Sequence, residues 1–170
     1  TPGGMAANVA VGARRLGTLV RMLGAVGDDA MGRDALTALT AEGLDLDHVA
    51  TRTETPTFFC VIMVDDAGEK SLVKAISDAY LPRPTDLTPA AFDGVAHVHL
   101  TFTRPDLVAV AVGRARAVGA TVSLDLEAAD LPPPGAGIGA LLQDIDLLFV
   151  SEHSRAEAER RFGVLATRED

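Results

Sequence analysis

Strand-like and helical segments alternate along the second half of this chain. In order, they occupy residues 95–100, 105–118, 121–126, 138–143, 146–150 and 154–162. Each apolar strand-like run is followed by a helical pattern, and strands joined in this way form right-handed crossovers within one sheet. The alternation predicts an α/β fold in which a parallel sheet is packed between helices.

The first part of the chain predicts similar architecture. A helix is expected at 5–16, a strand at 19–27 and a second helix at 28–43. Either Asp28 or Asp29 is placed to cap the second helix, and glycines end both helices. The predicted apolar stripe of the first helix consists of Met5, Val9, Ala13 and Leu16.

Two β-rich runs around the turn sequence Asp-Asp-Ala-Gly predict a hairpin at 55–75. Apolar residues occupy both alternating faces of its first run, from Phe58 to Met63. Such a hairpin should cover one part of the protein and meet another surface with its second face. Cys60, the single cysteine, lies in this run. We therefore expect a buried, unreactive thiol, no internal disulfide and no cysteine-based zinc site.

The overall composition limits the kinds of partner. The 170 residues include 24 acidic and 15 basic ones, for a net charge of −9. This charge, with no run rich in lysine or arginine, argues against nucleic acid and anionic membrane as partners. The sequence also has no apolar stretch of about 18 residues and no leader pattern, so we expect a cytoplasmic protein with no membrane partner.

Gly3 and Gly4 stand at the start of the first predicted helix, and Asn8 follows one turn later. Glycines at a helix start leave backbone N–H groups open to a ligand. The Asn8 amide can donate and accept hydrogen bonds, which suits a neutral ligand with many hydroxyls. The alternative is a helix start packed closely on a strand, with Asn8 bonded to the backbone. A dinucleotide site would need Gly-x-Gly-x-x-Gly after a strand, a spacing that these glycines lack.

This opening stretch resembles the first signature of the PfkB, or ribokinase-like, carbohydrate kinases. The signature combines a glycine pair, small residues, an asparagine and spaced glycines, matched here by Gly3, Gly4, Ala6, Asn8, Ala10, Gly17 and Gly27. The segment 24–32 is similar to the family's next block, and 55–69 is similar to its lid hairpin. The similarity continues in order to 146–163.

The resemblance implies a ribokinase-like three-layer α/β/α fold with a mostly parallel sheet, of which this chain holds an incomplete part. Residues 1–54 and 79–170 would form the core on the sugar-binding side, and 55–78 would form a small β lid. The implied activity is phosphorylation of a sugar hydroxyl by ATP with Mg²⁺. Pairing of two lids would make a homodimer.

The resemblance assigns the sugar hydroxyls to Gly3, Gly4 and Asn8. Met5 stands where ribokinases carry a lysine, which argues against a strict ribokinase.

Two further sugar-site candidates lie at strand ends. Asp125 stands where related kinases begin an Asp-Pro-Asn-x-Arg sequence, although the arginine is missing here. Thr101 ends the strand before it. Open α/β sheets bind ligands at the carboxyl ends of their strands, which makes both residues candidates for the sugar site.

An Asn-x-x-Glu motif, near the metal and triphosphate in this family, should follow the strand at 146–150. Counted from the strand, its two positions hold Ser151 and Ser154; counted back from Gly163, they hold Ser154 and Glu157. We expect nucleotide contacts from these three residues and assign no metal ligand. Ser154 and Glu157 also form a capping-box pattern for the last helix, which explains them at least as well.

The second family signature, Gly-Ala-Gly-Asp, has no counterpart in this chain. In the family, its aspartate takes the proton from the sugar hydroxyl and its N–H groups hold the transferred phosphate. The glycine-rich run at 135–140 lacks the aspartate and predicts a loop leading into a helix. We expect the base beyond Asp170 and no activity from these 170 residues alone. The alternative is a non-catalytic sugar-binding or regulatory protein of the same fold.

Overall fold

The computed structural model describes residues 3–133 and 138–163, and the chain divides into two compact units, 1–86 and 87–170. Both units contain helices and parallel strands, which confirms the predicted α/β class. Within the described ranges, no helix is long and apolar enough to cross a membrane.

The first unit combines two helices, two parallel strands and a separate hairpin. In chain order its elements are α1 (Met5–Arg15), β1 (Arg21–Gly27), α2 (Ala30–Ala41), β2 (Asp45–Arg52), β3 (Phe59–Val64), β4 (Lys70–Ala75) and a 3₁₀ helix (Pro84–Asp86). β1 and β2 pair in parallel, with Gly27 beside Arg52 at their carboxyl ends.

Among the strands that the structure describes, β2 is the one that the sequence pattern does not predict. Polar and charged residues interrupt its apolar ones, so neither a strand nor a helix period is visible. Its backbone pairs with β1 over most of its length, and the Arg21 guanidinium binds the Asp45 carboxylate at 2.9 Å. Pairing with a neighbour, rather than local preference, therefore accounts for this strand.

The predicted apolar stripe of α1 is wrong. Leu16 is 88% exposed and Val9 is 41% exposed, whereas the buried residues are Ala7 and Ala10. Arg14, one turn further on the same side as Ala7 and Ala10, donates from Nε to the carbonyl oxygen of Gly43 at 3.0 Å. Small side chains and an arginine, rather than the large apolar residues, thus mark the packed side of the helix.

Helix α2 is two residues shorter at each end than the predicted 28–43, and the residues predicted to cap and to end it are confirmed. Asp29 is its N-cap, because Oδ1 accepts a hydrogen bond from the Gly32 N–H at 2.8 Å. The chain leaves the helix through Gly43, whose φ of +79° favours glycine. Of the two aspartates considered as caps, Asp29 is the one that the structure selects.

The predicted hairpin is present, but its cysteine prediction is wrong. β3 and β4 pair antiparallel, with Ile62 beside Leu72 and Cys60 beside Lys74. All six residues of β3 are exposed, including Cys60. The thiol is open to solvent because, within the described residues, neither face of this strand is covered.

The second unit is a three-stranded parallel sheet with helices. Its elements are a 3₁₀ helix (Pro89–Phe92), β5 (His97–Thr101), α3 (Pro105–Ala117), β6 (Thr121–Leu126), a 3₁₀ helix (Ala128–Asp130), α4 (Ile138–Leu142), β7 (Leu147–Val150) and α5 (Glu152–Phe162). The strand order is β5-β6-β7, so β6 is central. The loop predicted at 135–140 begins in residues that lie outside the described ranges, and its last three residues belong to α4.

The sheet of the second unit has two different faces. On one face, Val122 and Leu124 are 0% exposed and belong to the hydrophobic core, together with Val108 and Val112 of α3. Because side chains alternate along a strand, polar residues occupy the opposite face: His97, His99, Thr101, Thr121, Ser123 and Asp125. The polar face leads to the carboxyl edge where ligands of such sheets bind.

Candidate functional site

The glycine pair of the first unit is accessible. Gly4 is the N-cap of α1 with a φ of +104°, a conformation that favours glycine. Gly3, Gly4 and Asn8 are all exposed. A Cβ built on either glycine would meet no atom within 4 Å among the described residues, so close packing within that part does not explain the pair. The assignment of these three residues to a sugar remains a prediction.

Thr101 and Asp125 lie side by side in the second unit. They are paired positions of β5 and β6, and the next N–H, that of Phe102, donates to the Asp125 carbonyl oxygen at 2.8 Å. Both side chains are partly buried on the polar face of the sheet. The structure thus brings together two of the predicted sugar-site residues, and their assignment to a sugar stays a prediction.

An open cleft of about 580 Å³ lies at the carboxyl ends of β6 and β7. It brings Asp125 together with all three predicted nucleotide-site residues. The lining residues are Asp125, Leu126, Glu127, Ala128, Ala129, Ser151, His153, Ser154, Glu157 and Arg161. Residues that sequence reasoning assigned to a sugar and to a nucleotide therefore share one cleft.

The start of α5 corrects the capping-box prediction. Ser151, not Ser154, is the N-cap, and its hydroxyl accepts a hydrogen bond from the Ser154 N–H at 3.0 Å. Ser154 is only 4% exposed, and its hydroxyl accepts from the Ala128 N–H at 3.0 Å. Because the strand ends directly before Ser151, capping falls to the first polar residue after it. Ser154 instead ties the segment after β6 to α5.

Glu157 is held by two arginines. Nε of Arg160 donates to one carboxylate oxygen at 2.8 Å, and Nε of Arg161 donates to the other at 2.5 Å. Both bonds lower the pKa of Glu157, from 4.5 to about 2, and the bond from Arg160 has the larger effect. Glu157 is therefore ionised at neutral pH, but its charge is already paired.

Two histidines share one serine on the polar face of the sheet. Ser123 is 1% exposed, and its hydroxyl lies 2.8 Å from Nε2 of His97 and 2.8 Å from Nδ1 of His99. Burial lowers the pKa of His99 from 6.5, while the charge of Asp125 acts in the opposite direction. His99 is therefore neutral at pH 7, and the polar face carries the negative charge of Asp125 beside an uncharged ring.

The described residues do not supply a complete metal site. In residues 3–133 and 138–163, no three His, Cys, Asp or Glu side chains are grouped so that they could hold a metal ion. A Mg²⁺ ion bound to ATP needs only one or two protein carboxylates in addition to phosphates and water. Asp125 and Glu127 are the cleft carboxylates that carry no arginine bond among the described contacts.

Sequence reasoning missed three polar residues of the cleft. Glu127 directly follows the carboxyl end of β6, so the argument that selected Asp125 would also have found it. His153 lies three residues after the end of β7, in the first turn of α5. Arg161 lies four residues after Glu157, on the same side of α5. Its Nη1 donates to the carbonyl oxygen of Leu131 at 3.1 Å, which only the structure reveals.

Comparison with known proteins decides the family. A family model described as pfkB family carbohydrate kinase matches residues 1–166. This chain belongs to the PfkB family of carbohydrate kinases. The resemblance seen in the sequence is thereby confirmed, as is the ribokinase-like fold.

Known sugar kinases are similar to this chain in sequence and in fold. The chain is 31% identical to the ATP-dependent ribose-1-phosphate kinase of Halopiger xanaduensis, over 91% of this chain and 51% of that protein. It is similar in fold to the fructokinase of Xylella fastidiosa, with a TM-score of 0.77 and 25% identity over 93% of this chain and 55% of that one. A structure of fructokinase from the same organism with bound ATP matches with a TM-score of 0.75 and 24% identity, over 93% of this chain and 54% of that one. The chain thus spans about half the length of the relatives it matches.

Proposed function

We propose that this PfkB chain is part of a kinase that transfers the γ-phosphoryl group of ATP to a sugar hydroxyl. The observation that carries the proposal is the accessible helix start of the first unit. There Gly4 has a conformation suited to glycine, Gly3 and Gly4 are open, and Asn8 is exposed one turn later. Open N–H groups beside an amide suit a neutral polyhydroxy ligand better than a phosphate.

Gly3, Gly4 and Asn8 bind sugar hydroxyls in this proposal. The backbone N–H groups at the helix start donate, and the Asn8 amide both donates and accepts. Thr101 and Asp125 are proposed for the same ligand class, because a hydroxyl and a carboxylate at a strand end can bind hydroxyls. Orienting the acceptor is the contribution that these residues make to phosphoryl transfer.

The cleft of the second unit is the proposed place for part of the nucleotide. Ser151, Ser154 and Glu157 remain the proposed contacts, with limits set by their existing bonds. The Ser154 hydroxyl is engaged with Ala128 and Glu157 with two arginines, so Ser151 is the most open of the three. Bound Mg²⁺ would neutralise phosphate charge, and Glu127 is the cleft carboxylate available to it, because Asp125 is proposed for the sugar.

The base that removes the proton from the sugar is expected outside this chain. We therefore expect sugar-dependent ATP consumption from the full-length protein and none from residues 1–170 alone. A panel of sugars and nucleosides is offered with ATP and Mg²⁺, and ADP release and phosphorylated product are both measured. ADP release at one rate across the panel, without phosphorylated product, would contradict the proposal. A cytoplasmic location fits this proposal, because ATP is the phosphoryl donor.

A non-catalytic sugar-binding or regulatory role is the second candidate. The observation in its favour is that serines occupy both positions of the Asn-x-x-Glu motif counted from β7, while Glu157 is paired with arginines. Calorimetry separates the two functions. Sugar binding by the full-length protein without any ATP turnover would favour the second candidate.

The hairpin is the proposed contact for a second copy of the chain. Its apolar residues are exposed on both faces, among them Phe59 (45%), Ile62 (55%) and Leu72 (56%). Exposed apolar surface of this kind favours association. Light scattering over a concentration series should reveal a dimer, and Ile62→Glu should weaken it. A monomer at high concentration would contradict this proposal.

A further inference from the structure

The segment that enters the hairpin is hydrogen-bonded to the start of α2 through Thr57. Its backbone N–H donates to Oδ2 of Asp29 at 2.9 Å, and its hydroxyl donates to Oδ1 at 2.6 Å. The same hydroxyl accepts from the Gly27 N–H at 3.0 Å. One aspartate therefore both caps α2 and binds the hairpin entrance, a role that helix capping does not require.

Two glycines make room for this attachment. A Cβ on Gly27 would lie 2.0 Å from the carbonyl oxygen of Thr55 and 2.5 Å from the nitrogen of Thr57. A Cβ on Gly32 would lie 2.2 Å from the Gly27 carbonyl oxygen and 2.8 Å from the Thr57 hydroxyl. Both glycines are thus required by the close approach of the entering segment, independently of the hydrogen bonds of Asp29.

The two ends of the hairpin meet immediately after this point. The rings of Phe58 and Tyr80 have centroids 4.2 Å apart, and Ala79 is 1% exposed. From Phe59 to Lys74, in contrast, the strand residues are exposed. The hairpin is therefore fixed at its base and uncovered beyond it within the described part of the chain.

We propose that Asp29 is a positioning residue for the lid, which it fixes through Thr57, and we name this contact the lid anchor. The lid anchor sets where the lid leaves the carboxyl end of β2, so that closure over the sugar moves only the residues beyond Thr57. The inference rests on the proposed kinase function, because closure matters for excluding water and holding the sugar.

The test compares neighbouring aspartates. In Asp29→Asn, the side-chain oxygen can still cap α2, since asparagine is a good N-cap. Its NH₂ group, however, faces the Thr57 N–H, so an acceptor becomes a donor and this bond is lost. The Thr57 hydroxyl can still donate to the retained oxygen, so the lid anchor is weakened. Asp28→Asn is the matched control, because the Asp28 carboxylate pairs with Arg33 at 3.2 Å on the surface.

A second pair of variants tests the other partner. Thr57→Val removes the hydroxyl that links Gly27 to Asp29, and Thr57→Ser should restore it. Thr55→Val is the control, because the Thr55 hydroxyl donates to the nearby Thr53 carbonyl oxygen at 3.1 Å. If circular dichroism shows that Asp29→Asn does not fold, Thr57→Val and Thr57→Ser alone test the lid anchor.

Steady-state kinetics of the full-length enzyme provide the readout. A loosened lid closes less often, so the KM for sugar should rise about tenfold in Asp29→Asn and Thr57→Val. The KM for ATP should stay at its wild-type value in these two variants. Thr57→Ser and the controls Asp28→Asn and Thr55→Val should have wild-type KM values for both substrates. A lower thermal midpoint with an unchanged sugar KM would overturn the proposal, because it would mean a structural role only.

Amide hydrogen exchange separates this proposal from the kinase function. If the wild-type protein consumes no ATP with any sugar, the kinase proposal fails, and exchange of residues 58–76 then decides about the lid anchor. Faster exchange of these amides in Asp29→Asn than in Asp28→Asn supports the anchor. Equal exchange in the two variants overturns it.

Discussion

The hairpin and the sheet of the second unit use strands in opposite ways. β3 has the sequence Phe-Cys-Val-Ile-Met-Val, and all six residues are exposed. β6 has the sequence Thr-Val-Ser-Leu-Asp-Leu, yet its Leu124 is 0% exposed and its Ser123 is 1% exposed. The more apolar strand is thus the exposed one. Burial follows from neighbours on both sides of a strand, and β6 has β5 and β7 as well as helices.

The difference separates two sources of stability. In the sheet, apolar area removed from water contributes roughly 25 cal/mol per Å². In the hairpin, backbone pairing and cross-strand contacts remain, together with its base at Thr57 and Phe58. We therefore expect the sheet to respond to the loss of side-chain atoms and the hairpin to tolerate it.

The largest expected effect comes from one pair of matched truncations. Leu124→Ala should lower the free energy of unfolding by about 2–5 kcal/mol, because it leaves a cavity in a packed core. Ile62→Ala removes the same number of carbons from a side chain that is 55% exposed. It should change the free energy of unfolding by no more than about 0.5 kcal/mol. Urea unfolding followed by circular dichroism, at a concentration low enough to avoid association, measures both. Similar losses in the two variants would contradict the comparison.

A smaller effect is expected where the end of β6 is tied to α5. Ser154→Ala leaves the Ala128 N–H without its acceptor, which should cost about 1–3 kcal/mol of unfolding free energy. Ser151→Ala removes the helix cap and should cost about 1 kcal/mol. Both are measured by urea unfolding. A cost for Ser154→Ala below that for Ser151→Ala would mean that this tie contributes little to the second unit.

The smallest expected effect is a pH dependence of α5. Because the pKa of Glu157 is lowered from 4.5 to about 2, its stabilising contribution is present above pH 4.5 and is lost as the pH falls toward 2. The thermal midpoints of wild type and Glu157→Gln should therefore differ at pH 7 and converge near pH 2. Glu152→Gln, in the first turn of the same helix, is the control. If the thermal midpoints of wild type and Glu157→Gln differ as much at pH 2 as at pH 7, the lowered pKa of Glu157 is not the cause of the difference.

Periodicity predicts the fold wherever an element buries one side. β6 has the predicted bounds of 121–126, and α3 and α5 differ from prediction by one or two residues at an end. β2 is missed because its partner β1, rather than its own composition, makes it a strand. The α1 stripe is wrong because two alanines pack closely, a choice that hydrophobicity does not indicate.

Only part of the candidate site could be predicted, because the sequence does not show which side chains are bonded to each other. Strand ends can be read from the sequence, and they identify Asp125 and Ser151 as cleft residues. Which groups are already bonded to each other cannot be read in this way. The pairing of Glu157 with Arg160 and Arg161, and of Ser154 with Ala128, depends on packing between α5 and its neighbours.

The exposed thiol of Cys60 makes the hairpin accessible to spectroscopy. It is the single cysteine among the 170 residues, and it lies opposite Lys74, one residue pair from the base of the hairpin. Within these 170 residues, a maleimide or nitroxide probe would therefore attach at one known place. Two spin labels in a dimer would yield one inter-label distance, and its change on adding sugar would report the displacement of the hairpin in ångströms.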